Sequence, residues 1–420
     1  YSNLSLNLNL NLNLNLNLNL NLNLNLNLNL NLNLNLNLTI KPKILFLTLR
    51  IFSATGGIEK VCRVAGKALC ELALQYGGSV KIFAMYGKED TSDDNLYFPQ
   101  TKYTGFKNKK VQFVLRSFLQ GLRSDIILLS HINLLLPGIF IKLFKPGAKL
   151  VIIAHGIEVW RPVAAWKRKL FSRVDLFLPV SHYTKDKMIE LYGLPENKFQ
   201  VVNNCLDPFL ERPLQAGKAA RLLKQYKLEP DSQVLLTVSR MADTEQYKGY
   251  DRVLESLPAL IPQYPKLRYL LVGKYDTVEK KRLDDIIYKL GLEDRVIFTG
   301  FVPDAEMPYH FTLADCFIMP SEKEGFGIVF IEAMFYGLPV IAGNKDGSVD
   351  ALCNGELGTI VNPDNLEEIS HAIKMVLNHP GAFEPGQKKL REHFSYEWYK
   401  RKLHQCLQSL MAAGFWEMMN

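Results

Sequence analysis

Residues 315–342 constrain the fold of this chain more than any other segment. A short apolar stretch ends in Pro320-Ser321, a loop with two glycines follows, and two further apolar stretches come next, the second beginning at Leu338. This order predicts a strand, a loop, a helix and a second strand. In an open parallel sheet, the loop after a strand and the first turn of its helix face the ligand crevice. The segment therefore predicts a parallel α/β fold and the sheet edge at which a ligand binds.

Two carboxylates in this segment, Glu324 and Glu332, are separated by seven residues. Gly325 and Gly327 allow close approach of the backbone to a phosphate, and the free amides of a first helical turn suit an anion. The carboxylates could accept hydrogen bonds from hydroxyl groups on either side of that phosphate. A nucleotide sugar has this layout of ribose, diphosphate and hexose. The alternative is an ordinary strand–helix–strand unit with a solvated cap and a helix-face charge.

The chain from residue 40 onward alternates short apolar stretches with amphipathic ones, which predicts doubly wound parallel sheets. The segment 207–231 interrupts this alternation with prolines and a glycine, and we interpret it as the inter-domain linker region. We expect an N-terminal Rossmann-like domain over 40–212 and a second one over 213–385. A C-terminal helical segment is predicted over 386–420. Predicted strands of the first half include 41–48, 80–85, 126–130, 150–154, 176–180 and 199–202.

A strict Asn-Leu alternation runs from Asn7 to Leu38. Formally this is a period-2 strand pattern, but an uncharged repeat without proline or glycine is prone to β-stacking. It shares nothing with the rest of the chain. We therefore place residues 1–39 outside the fold, as the translation of a tandem DNA repeat ahead of the true start.

The sequence argues against a membrane-spanning, secreted or metal-binding protein. The formal net charge is +8, and no apolar run reaches the roughly 18 residues that a membrane span needs. No secretory signal is recognisable, and the six cysteines have no zinc-like spacing, which indicates reduced thiols in a cytoplasmic protein. No metal site is expected, because no Asp-x-Asp follows a strand.

Basic residues alternate with aromatic ones in two segments, 102–123 and 160–173. This pattern suits an anionic membrane surface, a lipid-diphosphate acceptor or nucleic acid. Nucleic acid is disfavoured, because no recognition motif accompanies the charge. The alternative is two solvated helix faces.

Three further groups follow predicted strands. Arg240 and Lys248 could converge on one diphosphate and neutralise the charge of a leaving nucleotide. Gly56-Gly57 follows the first strand, and His155 ends another.

These residues resemble, in order and spacing, the signature of the retaining GT-B glycosyltransferases of family 4. The resemblance covers residues 40 to 410. It is carried by Glu324-x7-Glu332 with its Glu-Gly-Phe-Gly opening, by Arg240 with Lys248-Gly249, by Gly56-Gly57 and by His155-Gly156. It implies two Rossmann-like domains facing across a cleft, with a C-terminal helix crossing back to the first domain.

The resemblance also implies roles. Catalytic roles fall to Glu324, Arg240, Lys248 and His155. Donor-binding roles fall to Glu332 at the ribose, and to Phe326, Gly327, Ile328, Gly56, Gly57 and Val302. It implies a nucleotide-diphosphate sugar donor, a saccharide or lipid-linked acceptor, no cofactor, and a cytoplasmic location, peripheral at the inner face of the membrane. A nucleotide-sugar epimerase and a non-catalytic nucleotide-sugar-binding scaffold remain the alternatives.

Two positions depart from the family pattern. Lys274 follows Gly273 where relatives have an acidic residue. Asn204-Cys205 replaces a Gly-Val pair in the hinge segment, which predicts a stiffer hinge.

Overall fold

The structure is a computed structural model, and it describes residues 41–52, 56–88, 95–213 and 217–419. Beyond residue 411 it describes the backbone alone. The Asn-Leu repeat lies outside the described residues.

The first half of the chain forms a six-stranded parallel sheet in the order β3-β2-β1-β4-β5-β6. Its helices lie on both faces, as the alternation of apolar stretches predicts. In chain order the elements are β1 (Lys43–Thr48), α1 (Gly57–Gln75), β2 (Ser79–Ala84), β3 (Tyr103–Gly105), α2 (Lys110–Gly121), β4 (Ile126–Leu129), α3 (Leu135–Phe144), β5 (Lys149–Ala154), α4 (Ile157–Trp160), α5 (Ala165–Phe171), β6 (Leu176–Pro179) and α6 (His182–Tyr192).

The second half forms another six-stranded parallel sheet, in the order β12-β11-β10-β7-β8-β9. The elements are α7 (Ala220–Gln225), β7 (Val234–Val238), α8 (Tyr250–Ser256), β8 (Arg268–Val272), α9 (Thr277–Leu290), β9 (Val296–Gly300), α10 (Met307–Leu313), β10 (Cys316–Met319), α11 (Ile328–Phe335), β11 (Val340–Gly343), α12 (Ser348–Ala351), β12 (Thr359–Val361), α13 (Leu366–Asn378), α14 (Gln387–Phe394) and α15 (Tyr396–Met419). The two sheets confirm the predicted pair of Rossmann-like domains, whereas the exact limits proposed for the domains stay a prediction.

The central strand β1 is apolar on both sides because both of its faces are covered. Ile44 and Phe46 belong to the core beneath α1, and Leu45 and Leu47 belong to the core beneath α2 and α3. A parallel sheet buried on both faces requires near-continuous apolar strands. This requirement explains why a continuous apolar run located β1 correctly.

The C-terminal helix α15 returns to the first domain and packs on α1. Lys400 Nζ lies 2.9 Å from a carboxylate oxygen of Glu71, and the rings of Tyr76 and His404 stack at 4.3 Å. The predicted crossing of the C-terminal helix is therefore confirmed. Among the described residues, none of the helices combines the length and the hydropathy needed to cross a bilayer.

Some secondary-structure predictions were wrong. The predicted strand at 199–202 is an isolated bridge from Phe199 to Phe177, after which the chain leaves β6 for the second domain. The predicted linker contains α7, and the short strands β3 and β12 were not predicted. Three-residue strands at sheet edges leave little periodicity to detect.

Asn204 in the hinge segment is buried and is not among the residues with positive φ. The backbone here has a conformation open to any residue, so the absence of glycine imposes no strain.

Candidate active site

Lys248 and Glu324 form an ion pair at the carboxyl edge of the second sheet. Glu324 lies in the loop after β10, and Lys248 ends the loop after β7. The two loops are in contact at Gly249, whose φ is 76° and where a Cβ would overlap the carbonyl oxygen of Pro320. Burial lowers the pKa of Lys248, but the charge of Glu324 and its hydrogen bond outweigh burial, so the pKa is raised overall. Lys248 therefore carries a positive charge beside the predicted diphosphate site.

Asp346, after β11, fixes the conformation of the loop between β10 and α11, which carries Glu324 and is called the signature loop below. It is 1% exposed and accepts hydrogen bonds from Ser321 Oγ and Glu324 N, both at 2.7 Å, and from Ser348 N at 2.9 Å. Burial raises the pKa of this carboxyl to about 6, against the opposing effect of the hydrogen bonds. The position of Glu324 thus depends on a second buried carboxylate.

Arg240 follows β7 as predicted, but its guanidinium pairs with Glu245 in the same loop, with Nε 3.2 Å from Oε2. Its side chain is 67% exposed. Lys248 is paired with a different carboxylate, Glu324, so the convergence of the two cations on one diphosphate stays a prediction. An incoming diphosphate would have to compete with Glu245 for Arg240.

Two glycine-containing loops are in contact across the cleft between the domains. Gly156 follows β5 with a φ of 139°, and a Cβ built on it would lie 2.8 Å from Cα of Gly325. A Cβ on Gly325 would overlap the carbonyl oxygen of His155. Both glycines are therefore needed for the backbones to approach this closely. The contact brings His155 to the loop that carries Glu324.

The ring of His155 is fixed by the first domain. Its Nε2 lies 2.8 Å from the carbonyl oxygen of Ser130, so Nε2 carries the proton and donates. Burial lowers the pKa of His155 to about 4, although that hydrogen bond opposes the shift. The imidazole is therefore neutral at pH 7.

Glu332 lies on α11, and its Oε1 is 2.6 Å from Nζ of Lys60 in the first turn of α1. This ion pair joins the two domains. Gly56 caps α1 and Gly57 begins it, neither with a positive φ. A Cβ on Gly56 would meet the carboxylate of Glu59, whereas one on Gly57 would meet nothing within 4 Å. The ion pair places Gly56-Gly57, at the start of α1, next to α11.

The remaining donor-binding predictions lie at the start of α11 or after β9. Phe326 is buried against the ring of Phe394, so its side chain belongs to the core and only its backbone could reach a ligand. Gly327 caps α11 with a φ of 78°, Ile328 opens the helix, and Val302 is half-buried after β9.

Two protein-family models match the chain. The model described as Glycosyltransferase Family 4 matches residues 55–209, and the model described as Glycosyl transferases group 1 matches residues 220–401. Together they match more than half of the chain. The chain belongs to the family 4 type of glycosyltransferases. The residue-based resemblance is thereby confirmed at the level of the family.

Two of the curated relatives of this glycosyltransferase are named as mannosyltransferases. A GDP-mannose-dependent alpha-(1-6)-phosphatidylinositol monomannoside mannosyltransferase of Mycolicibacterium smegmatis is 30% identical over 248 residues, covering 56% of this chain and 63% of that enzyme. The O-antigen chain mannosyltransferase B of Escherichia coli is 26% identical over 47% of this chain and 50% of that enzyme. The chain thus spans about six tenths or less of these relatives' length.

Solved structures share the fold of this glycosyltransferase. The Anabaena protein HepE, in complex with UDP and glucose, matches with a TM-score of 0.67 and 21% identity over 88% of this chain and 100% of that one. A glycosyltransferase from Rickettsia africae matches with a TM-score of 0.68 and 18% identity over 89% and 99%. These likenesses confirm the GT-B fold.

Sequence reasoning missed two site residues of this glycosyltransferase, Lys60 and Asp346. Lys60 directly follows the Gly-Gly-Ile-Glu stretch, so its position on a first helical turn was available. Its partner lies 272 residues away, and Asp346 binds a loop 22 residues earlier. Such pairings depend on tertiary structure alone.

Proposed function

We propose that this protein transfers a sugar from a nucleotide-diphosphate donor to a saccharide or lipid-linked acceptor, in the synthesis of a polysaccharide or envelope glycan. The observation that carries the proposal is the Lys248–Glu324 pair beside the contact of His155-Gly156 with Gly325. A partly buried cation, a carboxylate and a neutral imidazole then share one cleft between two Rossmann-like domains.

Each residue has a role in the proposed reaction. Lys248 and Arg240 stabilise the negative charge that develops on the β-phosphate as the bond from the anomeric carbon to the phosphate oxygen breaks. Glu324 orients hydroxyls of the donor sugar, Glu332 binds the ribose, and the amides near Gly327 and Ile328 contact phosphate. The uncharged His155 lies where the sugar would enter the cleft.

We propose that the anomeric configuration is retained. The acceptor oxygen bonds to the anomeric carbon on the face from which the phosphate leaves, and the acceptor proton passes to the leaving phosphate oxygen. The reaction needs no cofactor, and the charges of Lys248 and Arg240 take the part that a divalent ion takes in metal-dependent transferases. Contact between the two domains orders the site and excludes water.

The chemistry of the relatives supports a lipid-linked acceptor. The mycobacterial relative is named for a phosphatidylinositol mannoside, and the Escherichia coli relative for an O-antigen chain. We therefore propose that the protein works at the cytoplasmic face of a membrane, with GDP-mannose as the first donor to test and UDP-glucose as the second, since HepE was solved with the latter.

The test is turnover by the full chain with each donor and a phosphatidylinositol mannoside acceptor. Release of nucleoside diphosphate together with a lengthened glycolipid supports the proposal. A donor converted to another monosaccharide without acceptor would instead identify an epimerase. Donor binding without turnover would identify a scaffold. Turnover unchanged in both Glu324→Ala and Lys248→Ala would refute the mechanism.

A further inference from the structure

Two adjacent helices of the first domain, α2 and α3, expose an unusual amount of apolar surface. Half of the large hydrophobic side chains that are exposed among the described residues lie here. Most soluble proteins expose such residues singly, and a contiguous patch marks an interaction site. This α2–α3 face consists of Val111, Val114, Leu115, Leu119, Leu122, Leu136, Phe140, Leu143 and Phe144.

The two helices form one continuous surface. The ring of Phe118 on α2 lies 4.9 Å from that of Phe140 and 5.2 Å from that of Phe144, both on α3. A Cβ at Gly121 would lie 2.6 Å from Ile141, so this glycine lets the helices approach. The opposite sides of both helices fill the core with Phe113, Ile139 and Ile141. The exposed face is therefore additional to the core.

The charge of the segment that forms the α2–α3 face is mainly basic. Residues 110–145 contain five Lys or Arg residues and a single acidic one, Asp125, which pairs with Lys145 3.3 Å away. Lys142 on α3 pairs with Asp175, which lies outside this segment. Arg116 and Arg123 are exposed on or directly after α2. The second basic segment supports the same orientation, because α5, with exposed Trp166, packs on the same side of the sheet through Phe171.

We propose that the α2–α3 face docks onto an anionic lipid surface, with its apolar side chains in the interface and Arg116 and Arg123 at the headgroups. Apolar area together with basic residues is what anionic bilayers bind. A protein partner or a second copy would not require so one-sided a charge. The inference deepens the proposed function, since it assigns a surface to the membrane at which a lipid-linked acceptor would be met.

The test is co-sedimentation of the full chain with phosphatidylcholine vesicles, with and without phosphatidylglycerol. We expect binding that requires phosphatidylglycerol. It should weaken between about 0.1 M and about 1 M salt, as the Debye length falls from roughly 10 Å to roughly 3 Å. In the variant Leu119→Glu/Leu143→Glu, affinity should fall by roughly tenfold or more.

The matched control is Leu74→Glu, because Leu74 is 86% exposed on α1, across the sheet from the α2–α3 face. It should bind vesicles like the natural chain. The proposal is overturned if the natural chain ignores anionic vesicles, or if the double variant, still cooperatively folded by thermal unfolding, binds as well. A dimer that the double variant dissociates, without vesicle binding, would make the face a contact between copies. None of these readouts depends on turnover, so failure of the proposed reaction stays separate.

A second inference rests on a different contact, the ion pair of Lys60 with Glu332. The two side chains come from different domains, with 24% and 9% of their side-chain surfaces exposed. Together they line a narrow pocket with Val64, Asp207 and Ile328. A single hydrogen-bonded cation restricts the rotation of a carboxylate and leaves its other oxygen free to accept.

We infer that Lys60 is a positioning residue, which orients Glu332 toward the ribose hydroxyls of the donor. The inference rests on the ribose role proposed for Glu332. Lys60→Gln should raise the KM of the donor by roughly tenfold with a smaller change in kcat. Lys60→Arg should keep the KM close to that of the natural chain. The matched control is Lys67→Gln, two turns along α1, where Lys67 pairs with Glu71 on the same helix.

A donor with 2′-deoxyribose shows whether Lys60 acts through Glu332 and the ribose or affects donor binding in general. If Lys60 acts through Glu332 and the ribose, Lys60→Gln should change the KM of the deoxy donor much less than that of the ribose donor. An equal increase with both donors would overturn the inference alone. A natural chain indifferent to the missing hydroxyl would overturn the ribose role and the inference together, while leaving sugar transfer intact.

Discussion

Gly156 and Gly325 meet across the cleft, so close that a Cβ at Gly156 would lie 2.8 Å from Cα of Gly325. One glycine follows a strand of the first sheet, and the other belongs to the signature loop of the second. The structure therefore joins the two halves of the site through backbone, where any added side chain interferes. Each glycine directly follows a predicted site residue, His155 or Glu324.

Gly325→Ala is expected to separate the domains. The added methyl group would overlap the carbonyl oxygen of His155, and relieving such overpacking costs about 1–3 kcal/mol. If turnover needs the closed cleft, kcat/KM should fall by roughly five- to 150-fold. Steady-state kinetics and small-angle scattering measure the two effects. Gly147→Ala, where a Cβ meets nothing within 4 Å, is the control, and equal losses in both variants would contradict the argument.

Lys248→Met should lower kcat by about 10²–10³, the usual effect of removing a group that stabilises charge in the transition state. It should also destabilise the fold, because the variant leaves Glu324 partly buried without its cation. Turnover and thermal unfolding measure these. Lys266→Met removes an exposed ion pair of the same domain and should change neither. A fully active Lys248→Met would remove this residue from the mechanism.

Arg240→Gln should affect donor binding without affecting stability. Its side chain is 67% exposed, and exposed ion pairs such as that with Glu245 contribute little to folding. We expect the KM of the donor to rise by roughly tenfold, since a charged hydrogen bond to phosphate is lost. Arg252→Gln, which removes an exposed pair with Glu255, is the control. A lower melting temperature with unchanged KM would indicate a structural role instead.

The raised pKa of Asp346 predicts a loss of kcat/KM on the acidic side of the pH profile. Its pKa is raised to about 6, so protonation below that pH removes the charge that accepts hydrogen bonds from Ser321, Ser348 and the backbone of Glu324. The value of kcat/KM should therefore fall as pH drops through about 6. Because the folded pKa lies above the usual one, this group favours folding at low pH, and that contribution is lost as pH rises from about 4 to about 6.

The variant Asp346→Asn tests this assignment. It should be less active at every pH, because the amide nitrogen cannot accept a hydrogen bond. It should also lack the loss of activity near pH 6, because an amide does not titrate. Activity against pH shows this directly. An acidic limb unchanged in Asp346→Asn would assign the ionisation to another group.

His155 should contribute stability with the opposite sign. Its folded pKa of about 4 lies below the usual 6.5, so the contribution is complete above pH 6.5 and is lost as pH falls toward 4. Nuclear magnetic resonance of its ring nitrogens should show a neutral imidazole, protonated at Nε2, from pH 7 to about 5. Titration of His155 near 6.5 would contradict its burial.

Much of the site followed from the sequence because its residues lie at the ends of apolar strands. Glu324, Lys248 and Arg240 were singled out because ligands bind at the carboxyl edge of a parallel sheet, and His155 because it matches the family pattern at the end of a strand. The roles of these four residues stay predictions. Both sheets were located by their apolar runs, since strands buried on both faces leave few polar positions. Contacts between particular side chains were harder to predict. Arg240 and Lys248 were expected to converge on one diphosphate, but the ion pairs that they form with Glu245 and Glu324 were not expected.

The sequence alone thus determined the parallel α/β architecture, the family and the loops that carry the predicted donor site, because apolar runs and glycine spacing are local properties of a chain. The tertiary structure alone decided which groups form ion pairs, hydrogen bonds or packing contacts with one another. Lys60 reaches Glu332, Asp346 holds Glu324, and the α2–α3 face forms from two separate helices. These contacts join residues distant in the sequence, and the burial that raises the pKa of Asp346 exists only in the folded chain.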